Sequence, residues 1–361
     1  MSTRLYPRKE ISETEIKELV KKQNKNEISW YIDEVINTQL ESVKDVLTSC
    51  VEHLDETDST PYKLPLSSHQ SEVIKGTITR ENFKITELHL IINSKLFNGG
   101  KKSQFKLIDS QFIVIRQLLD CHDAIMNALS NIDKIGENKK NGNDIDLFIK
   151  YMDMLCSHVN NARKSLMNAD PLYQFPSYRV NGTLFEPQLP KNGVLDFLVN
   201  NGELSVEFRS LNVVEKKPWS MIIDPAHRLS FADIVRKQIA KKRGTPVNKI
   251  IVEEYQKYLD WRKDHPDLDH EDQEEAGFTS TIKHIFTSNN DPSLSTLIKS
   301  AYTYLEESFT YIDDKSRPFV VKVADKCEVV TSDPILLSIS IKLESIEKTL
   351  LRIRENLTNI Y

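Results

Sequence analysis

SDPILLSISIKLESIEKTLLRIRENLTNIY, residues 332–361, places its apolar side chains at Leu336, Ile339, Leu343, Ile346, Leu350, Ile353 and Leu357. These alternating steps of three and four are the heptad period of a helix packed along one seam. Ser332, Asp333 and Pro334 supply its start, a capping side chain and then a proline in the first turn, where the missing N–H costs nothing. Glu344 and Lys348 add an i to i+4 ion pair on the wet face. With Leu336 at position a, every a residue is Leu and every d residue is Ile. That order disfavours a parallel two-stranded zipper and favours three or four packed helices, so partners are sought within the same chain.

Three further segments supply them. Ser12 to Leu54 reads as one long helical pattern, loosened at Lys21 to Asn26, with Ile36, Leu40, Val43, Leu47, Cys50 and Leu54 on its seam. Ile108 to Leu129 carries Ile108, Phe112, Ile115, Leu119, His122, Met126 and Leu129. Ile145 to Leu166 carries Ile145, Phe148, Met152, Leu155, Val159, Ala162 and Leu166. The short loop between the last two makes them an antiparallel pair.

Strands lie between. Glu72 to Thr79 and Phe83 to Ile92 read as two, joined at the Arg80-Glu81-Asn82 corner, whereas Asp55 to Ser68, with Pro61 and Pro65, reads as a break. Val194 to Asn200, the Asn201-Gly202 turn and the alternation Leu204, Val206, Phe208 form the clearest hairpin. Ser230 to Lys242, Asn248 to Lys263 and Leu294 to Ile312 read as further helices. Phe319 to Val330 holds one or two short strands.

The fold class expected is α+β, an elongated antiparallel four-helix bundle with a mixed, mainly antiparallel β domain at one end. Residues 1–58, 105–168 and 333–361 form the helical domain. Residues 62–104 and 169–332 form the β-rich one.

Composition narrows the function classes. With 361 residues, 39% hydrophobic, 28% charged and a net charge of -5, no overall field draws the chain to nucleic acid or anionic lipid. No apolar run is long enough to span a bilayer, and Met1 to Glu10 lacks the apolar core of a secretory signal. The four cysteines, Cys50, Cys121, Cys156 and Cys327, show no CxxC spacing and read as reduced core residues.

Chemical motifs are weak. Gly99-Gly100-Lys101-Lys102-Ser103 is similar in composition to a phosphate loop but lacks the four-residue spacer. His265, Asp267, Asp269, His270, Glu271 and Asp272 fail the EF-hand spacing, which puts Asp272 at the glycine position and Phe278 at the terminal glutamate. His122 reads as a boundary histidine. Arg236, Lys237, Lys241, Lys242 and Arg243 make a basic helix end that suits the helix dipole, with an anionic partner as the alternative. The residues before Leu336 are not basic, which argues against a DNA-binding zipper. The expectation is a non-enzyme without cofactor or metal, a scaffold or assembly subunit, with a self-associating zipper-type nucleic-acid binder as the alternative. Trp219, Trp261, Arg236 and Lys237 are its candidate partner-binding residues.

Two motifs carry a resemblance. Phe185-Glu-Pro187-Gln-Leu189-Pro190 ahead of the hairpin, and Val330-Thr-Ser332-Asp333-Pro334 running into the heptad helix, are similar to the Rogdi family. Its fungal members form the smaller dedicated subunit of the RAVE complex, the regulator of the ATPase of vacuolar and endosomal membranes. The resemblance implies a non-catalytic cytoplasmic protein recruited to early endosome and vacuolar membranes. Its implied partners are a large WD-repeat subunit, an SCF-type adaptor and peripheral-sector subunits of the pump. Both motifs read as structural: Pro187 and Pro190 end a loop ahead of a strand, and Ser332 to Pro334 cap a helix.

Overall fold

The computed structural model describes residues 12–55, 60–67, 73–141, 144–264, 293–312 and 317–360. The acidic stretch from His265 to Glu275 lies outside them. Helix α1 (Glu13–Trp30) opens with a capping box between Ser12 and Glu15 and runs through a π-helical turn, Tyr31–Ile36, into α2 (Asn37–Glu52). The cause of the π turn is in the spacing. Ile28, Ile32, Ile36 and Leu40 are all buried at successive steps of four, which on a straight α-helix would drift off one face. A wider turn cancels that drift. The irregularity therefore sits at 31–36, not at Lys21 to Asn26.

Helices α3 (Arg116–Lys140) and α4 (Ile145–Met167) pair along their lengths, α8 (Pro334–Ile360) packs on α4, and α2 packs on α3, while the α2–α8 side is thin. Asp144 caps α4, and the Asn138 side chain closes the α3–α4 turn onto the backbone of Asp144. Asp333 caps α8, accepting from the backbone N–H groups of Ile335 and Leu336.

Among the described residues there are three sheets, all antiparallel. One has strands β1 (Tyr62–Ser67), β2 (Ile74–Glu81), β3 (Lys84–Ile92), β4 (Ser103–Leu107) and β6 (Phe185–Glu186) in that order, with β5 (Ile113–Val114) also on β3. A second orders β11 (Ser308–Ile312), β12 (Pro318–Ser332), β8 (Glu203–Val213) and β7 (Gly193–Asn200). The third is a ribbon of β9 (Ile222–Asp224) and β10 (Leu229–Ser230). Helices α5 (Phe231–Lys241), α6 (Val247–Asp264) and α7 (Leu294–Glu307) complete the described elements.

The α+β balance agrees with expectation, but a free-standing four-helix bundle with a β domain at one end does not form. Among the described residues there are seven helices, with α1 and α2 as one, and their main seam does not close on itself. One core runs from Leu47, Leu118, Leu155 and Leu343 on the helices into Ile78, Leu90, Phe197, Val206 and Phe208 on two sheets. The physical reason is that the inner face of β7 and β8 is as apolar as the helix seams and must be covered by them.

The hairpin tip ties the layers together. Asn201 and Gly202 take positive φ at the turn and donate their backbone N–H groups to Met167 O (3.2 Å) and Leu166 O (3.0 Å), capping the C-terminus of α4. A Cβ at Gly202 would meet Leu336 O at 3.1 Å, so the tip also abuts the first turn of α8. Gln117 completes the junction: its amide donates to Ser165 O (2.8 Å) and Val199 O (2.7 Å) and accepts from Val199 N (2.7 Å), standing in as a strand neighbour for β7.

Local differences from the sequence reading have causes as well. Ile108 to Ile115 is not helical; Ile113–Val114 pairs with β3, and Ile108 and Phe112 are exposed. The buried face of α3 is Leu118, Cys121, Ile125, Ala128, Ile132 and Ile135, one residue off the predicted seam, because Gln117, Asn131 and Asn138 share the interior. Tyr62–Ser67 is a strand despite Pro65, at the sheet edge where a missing N–H is tolerated. The helix expected from Leu294 to Ile312 ends at Glu307 and continues as β11.

Candidate interaction surfaces

Trp219 is fully buried. It stacks on Tyr304 at 5.3 Å between ring centroids, meets Phe231 edge-on at 5.2 Å, and donates Nε1 to Ser300 Oγ (3.3 Å). Trp261 is half-buried against the same cluster, stacked on Tyr258 at 6.3 Å. Together they pack the α5–α6–α7 core.

Arg236 closes the end of a different helix from its own. Its Nε donates to Leu305 O (2.7 Å), and Nη2 donates to Tyr304 O (2.9 Å) and to Ser308 O, so a guanidinium covers the last carbonyls of α7. Asp233 holds it from behind through Nη1 (2.8 Å) while also forming the capping box of α5 with Ser230. A cation here satisfies orphan carbonyls and faces the negative end of the α7 dipole. Lys237, the next residue, is exposed. Sequence reasoning assigned the basic cluster to its own helix end; the true receiver of Arg236 lies about 70 positions away and left no local signal.

The family motifs are likewise part of the frame. Phe185 is buried and pairs with Leu107 in the six-stranded sheet, and Leu189 is buried against Gly182 and Gly193. Pro190 O accepts from Gly193 N (2.9 Å), while Pro187 stands two residues before Leu189 in the loop between β6 and β7. Ser332 Oγ donates to Glu203 Oε1 (2.8 Å) just before the Asp333 cap and Pro334. Gly99 and Gly100 belong to a turn in which Asn98 Nδ2 donates to Ser103 Oγ (3.1 Å), and His122 is half-buried beside Asp123.

Thiol chemistry is suppressed throughout. Burial pushes the thiols of Cys50 and Cys156 up to about 11 and that of Cys327 up to about 12, and raises that of Cys121 further, so all four stay protonated at neutral pH. A groove of about 310 Å³ between α4 and α8 is floored by Leu350 and bordered by the Arg354–Asp153 pair (2.8 Å). No helix among the described residues is long and apolar enough to cross a membrane, and none of their acidic, histidine or cysteine side chains group as metal ligands would.

Two features bear on partners. The first is α1, where no residue before Ile28 is buried. Ile16, Leu19, Val20 and Trp30 are 48%, 56%, 51% and 60% exposed, and at 3.6 residues per turn they fall on one side. A solvated helix of this length is marginal in water without a surface to pack on. The second is the heptad seam, whose Leu336, Leu343, Leu350 and Leu357 are all buried within the chain. A family model described as "Rogdi leucine zipper containing protein" matches residues 27–358. The chain belongs to the Rogdi family.

In this Rogdi chain the leucine repeat is spent inside one molecule, leaving no a or d residue to zip to a second copy or to spread basic arms on DNA. The matched region begins one residue before Ile28, so most of the solvated part of α1 precedes it. The chain is also similar to "Regulator of V-ATPase in vacuolar membrane protein 2" of Saccharomyces cerevisiae, with 26% identity over 349 residues, covering 92% of this chain and 90% of that protein.

Proposed function

We propose that this chain is a non-catalytic subunit of a complex that promotes assembly and reassembly of the vacuolar and endosomal proton-pumping ATPase, joining its peripheral sector to its membrane sector by protein–protein binding. The observation that carries this reading is the end-to-end similarity to a protein named as a regulator of that pump. Two of the ionisable residues that stood out in the sequence, Arg236 and Asp333, are engaged in holding the fold, the first closing α7 and the second starting α8.

The partners in this reading are a large WD-repeat subunit, an SCF-type adaptor and peripheral-sector subunits of the pump. The protein is cytoplasmic and is recruited peripherally to early endosome and vacuolar membranes. The side of α1 bearing Ile16, Leu19, Val20 and Trp30 is the surface assigned to the WD-repeat subunit, because it presents four solvated apolar side chains next to the packed body. Affinity purification followed by mass spectrometry tests the assignment. Recovery of a WD-repeat protein together with peripheral pump subunits is expected; their absence under every nutrient condition overturns it.

A further inference from the structure

On the face of β7 and β8 turned away from the main core, Asp196 stands directly opposite Glu207. Like charges in this register repel. Both carboxylates pair with one guanidinium, that of Arg209, and all three side chains are buried or nearly so, with Asp196 wholly removed from solvent. Asp196 Oδ2 also accepts from the backbone N–H of Phe175 (3.2 Å), whose ring lies 5.4 Å from the same guanidinium. Asp196 Oδ1 is buried and accepts no hydrogen bond among the described residues. Phe175 belongs to the irregular segment 170–180, which thus lies over two carboxylates that share one guanidinium, the cation that Asp196 has beside it, while Glu207 is also reached by Lys326.

The other charges around this trio are few. On β12, Lys326 Nζ is 3.2 Å from Glu207 Oε1, and Glu328, opposite Glu207, accepts from Ser205 Oγ (2.6 Å). From the segment come Tyr173, bonded to Asp120 of α3, and Tyr178, which feels both Asp196 and Arg116 of α3. Arg179 donates to Ile312 O (3.2 Å) on β11.

We propose that segment 170–180 is a proton-operated strap, closing more tightly over the β7–β8 face when Asp196 takes up a proton and lifting more readily when Asp196 is ionised. In the closed position an ionised Asp196, wholly buried, has as its cation among the described residues only the guanidinium that it shares with Glu207. Lifting the segment hydrates that carboxylate. The closed state therefore binds the proton more tightly than the lifted one, and by linkage the proton favours closure. Burial is the largest influence on Asp196 and Glu207 adds to it; against the pull of Arg209 and the Phe175 N–H they raise its carboxyl to about 6. Relative to an ordinary carboxylate near 4 in the lifted state, the closing constant grows about tenfold between pH 7.5 and pH 5.

Hydrogen exchange with mass spectrometry on the full chain tests this, using peptides covering 170–180, corrected for intrinsic exchange at each pH and referred to amides of α4. Wild type should show about tenfold more protection of the strap at pH 5 than at pH 7.5. Asp196→Asn should remove that dependence and hold the strap near its low-pH protection, and Glu207→Gln should reduce the dependence by relieving the competition. Strap protection in wild type that is unchanged or lower at pH 5 overturns the proposal regardless of how the variants fold. So does a full pH dependence retained in Asp196→Asn.

Discussion

Arg80 Nε donates to Asp333 Oδ2 at 2.6 Å, and neither side chain is exposed at all. The two residues are 253 positions apart. Arg80 also donates Nη1 to Asn82 O (2.5 Å) and lies 5.0 Å from the Tyr62 ring centroid, while Asp333 Oδ1 caps α8. One carboxylate thus joins the β2–β3 corner to the first turn of the last helix. Removing either partner strands a buried charge, so Arg80→Met and Asp333→Ala should each cost about 3–5 kcal/mol, with Asp333→Ala worse by about 1 for the lost cap. Urea unfolding of both singles and the double variant checks this. A double variant as unstable as the sum of the singles would show that the two do not act as a pair.

The buried heptad seam makes a separate claim. Leu343→Ala should cost about 2–5 kcal/mol, because it opens a cavity among α2, α4 and α8 that the neighbours fill only in part. Sedimentation should show the same assembly state before and after the substitution. Dissociation of a dimer on substitution, with stability unchanged, would mean the leucines zip two chains together.

Arg236 and Lys237 are adjacent in sequence but not alike in role. Arg236→Ala should lower stability by about 3 kcal/mol, since it leaves carbonyls at the end of α7 without their donor. Lys237→Ala should stay within about 0.5 kcal/mol. Thermal melts of the two variants, recorded side by side, check the contrast; equal shifts would refute the capping role.

The α1 surface separates binding from folding. Leu19→Ser and Trp30→Ser change exposed side chains, so each should move stability by no more than about 0.5 kcal/mol. Recovery of the WD-repeat partner should fall sharply in the pair of substitutions. Undiminished recovery would place the docking surface elsewhere on the molecule.

Much of this molecule was legible from local pattern. The seams of α2, α4 and α8, the hairpin with its Asn201-Gly202 tip and the Ser332 to Pro334 start all came out where their periodicity and turn chemistry put them. The failures share a cause. On α3 the burial of Gln117, Asn131 and Asn138 shifted the inner face by one residue, which no hydrophobicity pattern reveals, since Gln117 and Asn138 are there for backbone partners on other elements. Strand β1 was hidden by Pro65, which reads as a breaker until the strand is known to be an edge. At the candidate surfaces, Trp219 and Arg236 were conspicuous by residue type. Their burial and capping roles depend on Tyr304, Leu305 and Ser308, residues that only folding brings near.

The amino-acid order alone determined most of the helices and the β7–β8 hairpin, where several of them begin, and that the last helix needs an apolar partner along its whole length. Those properties are set by neighbours within a few positions, through side-chain period and backbone capping. The tertiary structure decided that the helices share a core with two sheets, that Asp333 is matched by Arg80, and that Asp196 and Glu207 divide one guanidinium beneath Phe175. Such pairings follow from which surfaces meet when water is excluded, and that is a property of the packed whole.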